Sequence, residues 1–223
     1  MFISISIMQP NNPLHLDLKI FELLISKFCH DLAGVIGAIN NGAEILQENH
    51  ISKQVVDLVL ESSEDAIGRL KIFRKAYANS DTLTQEELVA YKIQIEDYLK
   101  RKNINLLWRV ALPDGESHGA TISKILFNMA IFAGDILAKN GHLSLAIERA
   151  GRQENALHFT AIFAGENINV SDEILNAIMG NISDLGKRNI QAYFLYLIAQ
   201  NIGAKFIVNN APGKLTIEAF ISP

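Results

Sequence analysis

The chain has 223 residues, of which 49% are hydrophobic and 20% charged, with a formal net charge of −4 and a single cysteine, Cys29. That length supports one large domain or two small ones. An acidic balance without a basic run argues against nucleic acid as the ligand, and one cysteine allows neither an intrachain disulfide nor a cysteine-built zinc site.

No apolar run approaches a membrane span. The opening Met1–Met8 is apolar but lacks the basic start and small-residue cleavage site of a secretory signal. The expected setting is the cytoplasm, with no membrane partner, and Met8 is an alternative start. Residues 1–13 read as a tail, ending in a loop with prolines near both ends.

From about Leu16 to Gln47, Leu24, Phe28, Leu32, Val35, Ile39, Ala43 and Leu46 recur at steps of three or four, the pattern of a helix with one buried stripe. The stripe keeps its phase through Asn40-Asn41-Gly42, so a helix is expected there in preference to a turn. Residues 49–52 make a short connection with Ser52 as N-cap. A second helix runs to about Ala78, with Val55 or Val56, Val59, Ser63, Ala66, Leu70, Phe73 and Tyr77 as its stripe. So short a link makes residues 14–80 an antiparallel hairpin. A lone hairpin cannot cover both stripes, and pairing of two copies into a four-helix bundle is the favoured solution. Leu23, Ile36 and Ile45 lie off the main stripe and imply a second covered surface.

Residues 81–223 differ in character. Thr84-Gln85-Glu86-Glu87 is a capping box that opens a helix to about Arg101. A strand (Ile104 to Val110), a Pro113-Asp114-Gly115 turn and a helix (Ile122 to Lys139) follow. The alternating runs His142 to Arg149 and Leu157 to Phe163 form a hairpin across residues 151–155. Helices near Asp172 to Met179 and Lys187 to Ile202 precede a closing hairpin, Lys205 to Asn209 and Leu215 to Ile221, around Pro212-Gly213. The expected class is α+β, with helices on one face of a mixed sheet.

The residue that stands out chemically is His30. At about 100° per residue it falls opposite the apolar stripe, and Gly34, Gly37 and Asn41 share its side. Glycine inside a helix costs about 1 kcal/mol relative to alanine; here it would leave room for another backbone to approach. A metal site lacks partners at helical spacing, since Ser26 and Gly34 flank His30 by one turn. A triad lacks its nucleophile, because Cys29 points about a quarter-turn away. What remains is attack by the imidazole itself, which is largely unprotonated at neutral pH. Phosphoryl transfer suits such a group, because it asks mainly for in-line positioning and charge neutralisation. Asp31 could hydrogen-bond the ring nitrogen and orient the site, or equally be a solvated helix carboxylate. Lys27 lies one turn before His30, and Arg69, Lys71 and Lys75 of the second helix come to about the same height. Each could offset phosphate charge or serve as an ordinary solvated side chain.

Phe28-Cys29-His30-Asp31-Leu32 resembles the H-box of histidine-kinase dimerisation domains. The longer run with Gly37-Ala38-Ile39-Asn40-Asn41-Gly42 and Glu44-Ile45-Leu46 is more similar to the ChpT-type histidine phosphotransferases of bacterial phosphorelays. The resemblance implies a dimerising phosphotransfer hairpin, then an α/β sandwich shaped like a kinase ATP-binding domain that no longer binds ATP. It further implies His30 and Asp31 as catalytic residues, and a surface for partners drawn from Lys27, Gly34, Gly37, Asn41, Arg69 and Lys71. The implied partners are a second copy of the chain, the receiver domain of a hybrid kinase and the receivers of response regulators. Mg²⁺ would arrive with the receiver, and no intrinsic cofactor is expected. One departure is Val35, where H-boxes carry a proline that kinks the helix, so a straighter helix is expected here.

The second domain tests a kinase reading. Asn128 matches the first asparagine of a kinase N-box, but Phe132 stands where the metal-binding one belongs. Ala164-Gly165-Glu166-Asn167-Ile168-Asn169 contains no D-x-G-x-G, and Gly186-Lys187-Arg188-Asn189 supplies a single glycine. Phosphates need several converging backbone N–H groups and a metal. Autokinase activity is therefore not expected, although an atypical kinase and a non-catalytic receiver-binding adaptor remain as alternatives.

Overall fold

The computed structural model describes residues 13–48, 52–77, 83–112, 118–150 and 156–222. Helix α1 (Pro13–Gln47) and helix α2 (Lys53–Tyr77) form the hairpin, with the Ser52 hydroxyl accepting from the Val55 N–H at 3.3 Å. Their antiparallel sense is fixed by three contacts. Gly42 lies against Val59, the Asp31 carbonyl meets Arg69, and the Phe28 and Phe73 rings stand 5.1 Å apart. The helix runs through Asn40-Asn41-Gly42 without a break. The tail expected over residues 1–12, the connection at 49–51, the helix end at Ala78, the Pro113-Asp114-Gly115 turn and the hairpin loop at 151–155 lie outside the described residues.

The buried stripe of α1 differs from the expected one at its far end. Ala43 is exposed, and Gly42 takes its place against α2. A Cβ on residue 42 would collide with Cγ2 of Val59. The Asn-Gly step therefore marks a close approach of the two helices, not a loosened end. On α2, Leu70 belongs to the stripe by spacing but is 48% exposed; Ile72, Phe73 and Ala76 carry the burial.

Helix α3 (Gln85–Arg101) begins at the capping box, both arms of which are formed. Strand β1 (Asn105–Val110), helix α4 (Gly119–Ile136), strands β2 (His142–Arg149) and β3 (Leu157–Ala164), helices α5 (Asp172–Ile178) and α6 (Ile190–Gln200), and strands β4 (Ile207–Ala211) and β5 (Lys214–Ile221) complete the layer. The sheet runs β1-β2-β3-β5-β4. Among the described strands β1 and β2 pair in parallel, β2–β3 and β4–β5 are antiparallel hairpins, and β5 returns after α5, α6 and β4 to pair antiparallel with β3, giving the mixed α+β sheet. Gly213, with φ of 72°, turns the chain between β4 and β5 in a conformation that favours glycine.

Register explains the core. Leu143, Phe163 and Leu215 are neighbours across three strands, as are Leu145, Ala161 and Ile217. All six are buried, and alternation sends their strand neighbours to the other face. Helix α4 covers this surface, with Phe132 edge-on to Phe163 at 5.3 Å. Each buried Leu, Ile or Phe among them contributes roughly 1.5–3 kcal/mol.

A polar chain ties hairpin to layer. The Tyr77 hydroxyl donates to Gln191 Oε1 (2.9 Å), Gln191 Nε2 donates to Asn128 Oδ1 (2.7 Å), and Asn128 Nδ2 donates to the carbonyls of Ala76 (2.9 Å) and Lys124 (2.8 Å). Asn128, matched by sequence to a nucleotide-site asparagine, is thus a fully buried bridge between α2, α4 and α6.

Candidate functional site

The His30 side chain is 81% exposed on the outer face of α1. Gly34 and Gly37 have nothing within 4 Å of where a Cβ would stand. Asn41 is also exposed, so the strip beyond the ring is open for two turns. Cys29 is exposed beside it. Among the described residues no group of three or more His, Cys, Asp or Glu side chains could hold a metal.

Asp31 is held from two sides. Arg69 Nη1 donates to its carbonyl at 2.8 Å, and Arg69 is itself fixed by Asp65 through Nε (3.0 Å) and Nη2 (2.9 Å). Oδ2 of Asp31 lies 3.1 Å from Lys27 Nζ. Oδ1 faces His30 Nδ1 at 3.6 Å, just beyond hydrogen-bond range.

Lys27 is not a free cation awaiting phosphate. It is inserted between Asp31 and Asp135 of α4, the latter at 2.8 Å, and its side chain is only 10% exposed. Burial disfavours the charged ammonium, but Asp135 and then Asp31 outweigh that and hold it above the usual lysine value. Burial likewise lifts the Asp135 carboxyl above the ordinary aspartate range, against the pull of Lys27.

Two expected basic residues lie elsewhere. Lys75 Nζ sits over the Tyr91 ring, 4.7 Å from its centre, and donates to the Tyr91 hydroxyl. Lys71 lies on the far flank of α2, beside an apolar groove of about 620 Å³ that also includes Phe21, Ile25, Ile67 and Leu70. Height along an antiparallel hairpin was legible in the sequence; the direction each side chain takes around α2 was not.

The structure adds what the sequence reading lacked. Between the His30 face and the start of α5 lies an open cleft of about 780 Å³, bordered by Lys27, Asp31 and Asp135 on one side and by Asp172, Lys187 and Arg188 on the other. Asp135 had a signal: it is the one charged residue between Phe127 and Leu137, a stretch whose only other polar side chain is Asn128. A carboxylate on so apolar a helix is a candidate for an ion pair, and Lys27 supplies it.

A hairpin carrying an exposed histidine, followed by this helix-covered mixed sheet, is the fold of a histidine-kinase core. It matches the histidine kinase domain of the Erythrobacter litoralis EL346 blue-light-activated kinase with a TM-score of 0.51 at 13% identity, over 83% of this chain and 95% of that one. The family described as "Histidine phosphotransferase C-terminal domain" matches residues 92–213, more than half of the chain. The chain belongs to this histidine phosphotransferase family. It is 26% identical over 209 residues to the protein phosphotransferase ChpT of Brucella abortus (strain 2308), covering 91% of this chain and 95% of that relative. A solved bacterial phosphotransferase superposes with a TM-score of 0.73 at 24% identity, over 91% of this chain and 96% of that one. The protein is a histidine phosphotransferase, a transferase of the phosphorelay type. Among the described residues no helix is long and apolar enough to cross a membrane.

Proposed function

We propose that His30 is the phosphoacceptor, taking a phosphoryl group from the receiver aspartate of a hybrid kinase and passing it to the receivers of response regulators. The observation that carries this is the ring itself: exposed on a rigid helix, flanked by two glycines, with a carboxylate oxygen on its Nδ1 side. With the proton on Nδ1, the Nε2 lone pair attacks phosphorus in line. The P–O bond to the donor aspartate breaks and its electron pair returns to that carboxylate. The phosphorylated ring keeps the Nδ1 proton and is then cationic, and Asp31 is placed to accept a hydrogen bond from it. The reverse step delivers the group to a second receiver. Mg²⁺ belongs to the receiver in this scheme, and the chain supplies no cofactor.

ATP has no part in this reading. Phe132 is buried against Phe163 where a kinase would hold metal, and Asn128 is fully engaged in the bridge between hairpin and layer. The site acts in the cytoplasm, as a homodimer. What supports the dimer is the apolar flank of the hairpin, where Phe21, Ile25, Ile67 and Leu70 are each between 46 and 61% exposed; a second copy would convert two hairpins into a four-helix bundle. Receivers dock over the His30 strip and the cleft beneath it, leaving the apolar flank to the partner copy.

The test is transfer from a phosphorylated receiver domain. The wild-type chain takes up acid-labile label; His30→Ala takes up none while keeping its melting temperature and dimer mass. Undiminished labelling of that variant ends the reading. Label acquired from ATP alone would favour a kinase, and receiver binding without any phosphohistidine an adaptor.

A further inference from the structure

We propose that Asp135, acting through Lys27, is a positioning residue for His30. This rests on His30 being the phosphoacceptor. Asp135 belongs to α4 of the layer, 108 residues from Lys27 in sequence, yet its Oδ1 is 2.8 Å from Lys27 Nζ. The same ammonium is 3.1 Å from Asp31 Oδ2. One oxygen of Asp31 is therefore engaged, and the other, Oδ1, is left facing His30 Nδ1. Arg69 donates to the backbone carbonyl of Asp31 and forms its ion pair with Asp65, whereas the Asp31 carboxylate is hydrogen-bonded by Lys27, so Lys27 sets its rotation.

The arrangement matters because an imidazole has two nitrogens, and only one should be the nucleophile. A carboxylate oxygen on the Nδ1 side favours the tautomer with the proton on Nδ1, which leaves the Nε2 lone pair free for phosphorus. When the P–N bond forms, the ring becomes cationic and the same oxygen receives a charge-assisted hydrogen bond. Without Asp135, the lysine has one anion instead of two and can swing toward solvent, taking the carboxylate with it. The geometry of the reacting ring is thus set in part from the second domain.

The reaction is followed with potassium phosphoramidate as donor, so that no receiver contact contributes, by phosphohistidine formation. Asp135→Asn and Lys27→Met should lower the limiting rate about tenfold, the order of effect seen when an outer partner of a metal-ligating histidine is removed, with half-saturation changed less than about twofold. Lys27→Arg, which can still span two carboxylates, should stay within about threefold of wild type. Imidazole ¹⁵N spectra of His30 should show the Nδ1–H tautomer dominant in wild type and depleted in Asp135→Asn. A brace that only stabilises the fold would lower the melting temperature without moving that tautomer. A wild-type limiting rate in Asp135→Asn, or an unchanged tautomer, overturns the proposal; if Lys27→Met does not fold, the Asp135→Asn and Lys27→Arg pair decides alone. His30→Gln serves as control: its labelling at the wild-type rate would remove the phosphoacceptor reading itself, whereas a silent His30→Gln beside a fully active Asp135→Asn removes only the role given to Asp135.

Discussion

The two flanks of α1 differ in almost every physical respect. Toward α4 and α5 the surface is charged and cross-braced: Lys27 is held by two carboxylates, Arg69 by a third, and a cleft of about 780 Å³ opens beneath His30. Toward the groove with Phe194, the surface is aromatic and aliphatic, and its large side chains stand partly in solvent. Charged surface stays hydrated when a visitor leaves, which suits a partner that must come and go. Exposed Phe, Ile and Leu in one patch favour a partner that stays. In the proposed scheme a single helix would therefore serve a transient encounter and a lasting one by turning different sides to each.

The largest expected effect would break the apolar half of this contrast. Ile25→Glu or Leu70→Glu places a carboxylate in the groove, and the dimer dissociation constant should rise about a hundredfold or more. Sedimentation should then show monomers that still accept label at His30. Loss of labelling together with the dimer would mean that the two flanks are not independent.

Next in size is the polar bridge between hairpin and layer. Asn128→Leu removes the acceptor of Gln191 and the donor to Ala76, and should cost about 2–3 kcal/mol in denaturant unfolding. Glycines then sharpen the comparison. Gly42→Ala forces Val59 to move and should cost about 1–3 kcal/mol. Gly37→Ala meets open space and should gain up to about 1 kcal/mol from helix propensity. If the strip beyond His30 receives a receiver's backbone, Gly37→Ala also slows receiver transfer while leaving the reaction with phosphoramidate unchanged.

The smallest effect is a pH dependence. Burial makes Asp135 hold its proton to higher pH in the folded chain than in the unfolded one. The folded state then binds more protons, so stability contributed by this group is present at acid pH. It is lost as pH rises from the ordinary aspartate value through the raised folded one. The stability difference between wild type and Asp135→Asn, followed by thermal melts across that window, should fall in wild type's disfavour as pH increases. A difference that grows with pH would mean that Lys27 dominates the site.

The helical phase of α1, the hairpin, the capping box of α3, the strand pairs and the exposure of His30 could be read from the sequence, because each depends on spacing within one element. Helix ends were less legible. Helix α4 begins three residues before the expected Ile122, and α6 begins at Ile190, not Lys187, because tertiary packing helps set where a helix begins.

What the folded molecule alone decided are the pairings between elements distant in sequence. Nothing in spacing says that Lys27 faces Asp135 and not solvent, that Lys75 lies on Tyr91, or that Asn128 joins three helices. An ion pair or a buried amide chooses its partner by distance in space, and that distance is set only once α4 packs against the hairpin. The sequence determined that a histidine would stand clear of its helix; the packing of the second domain decided which charges surround it.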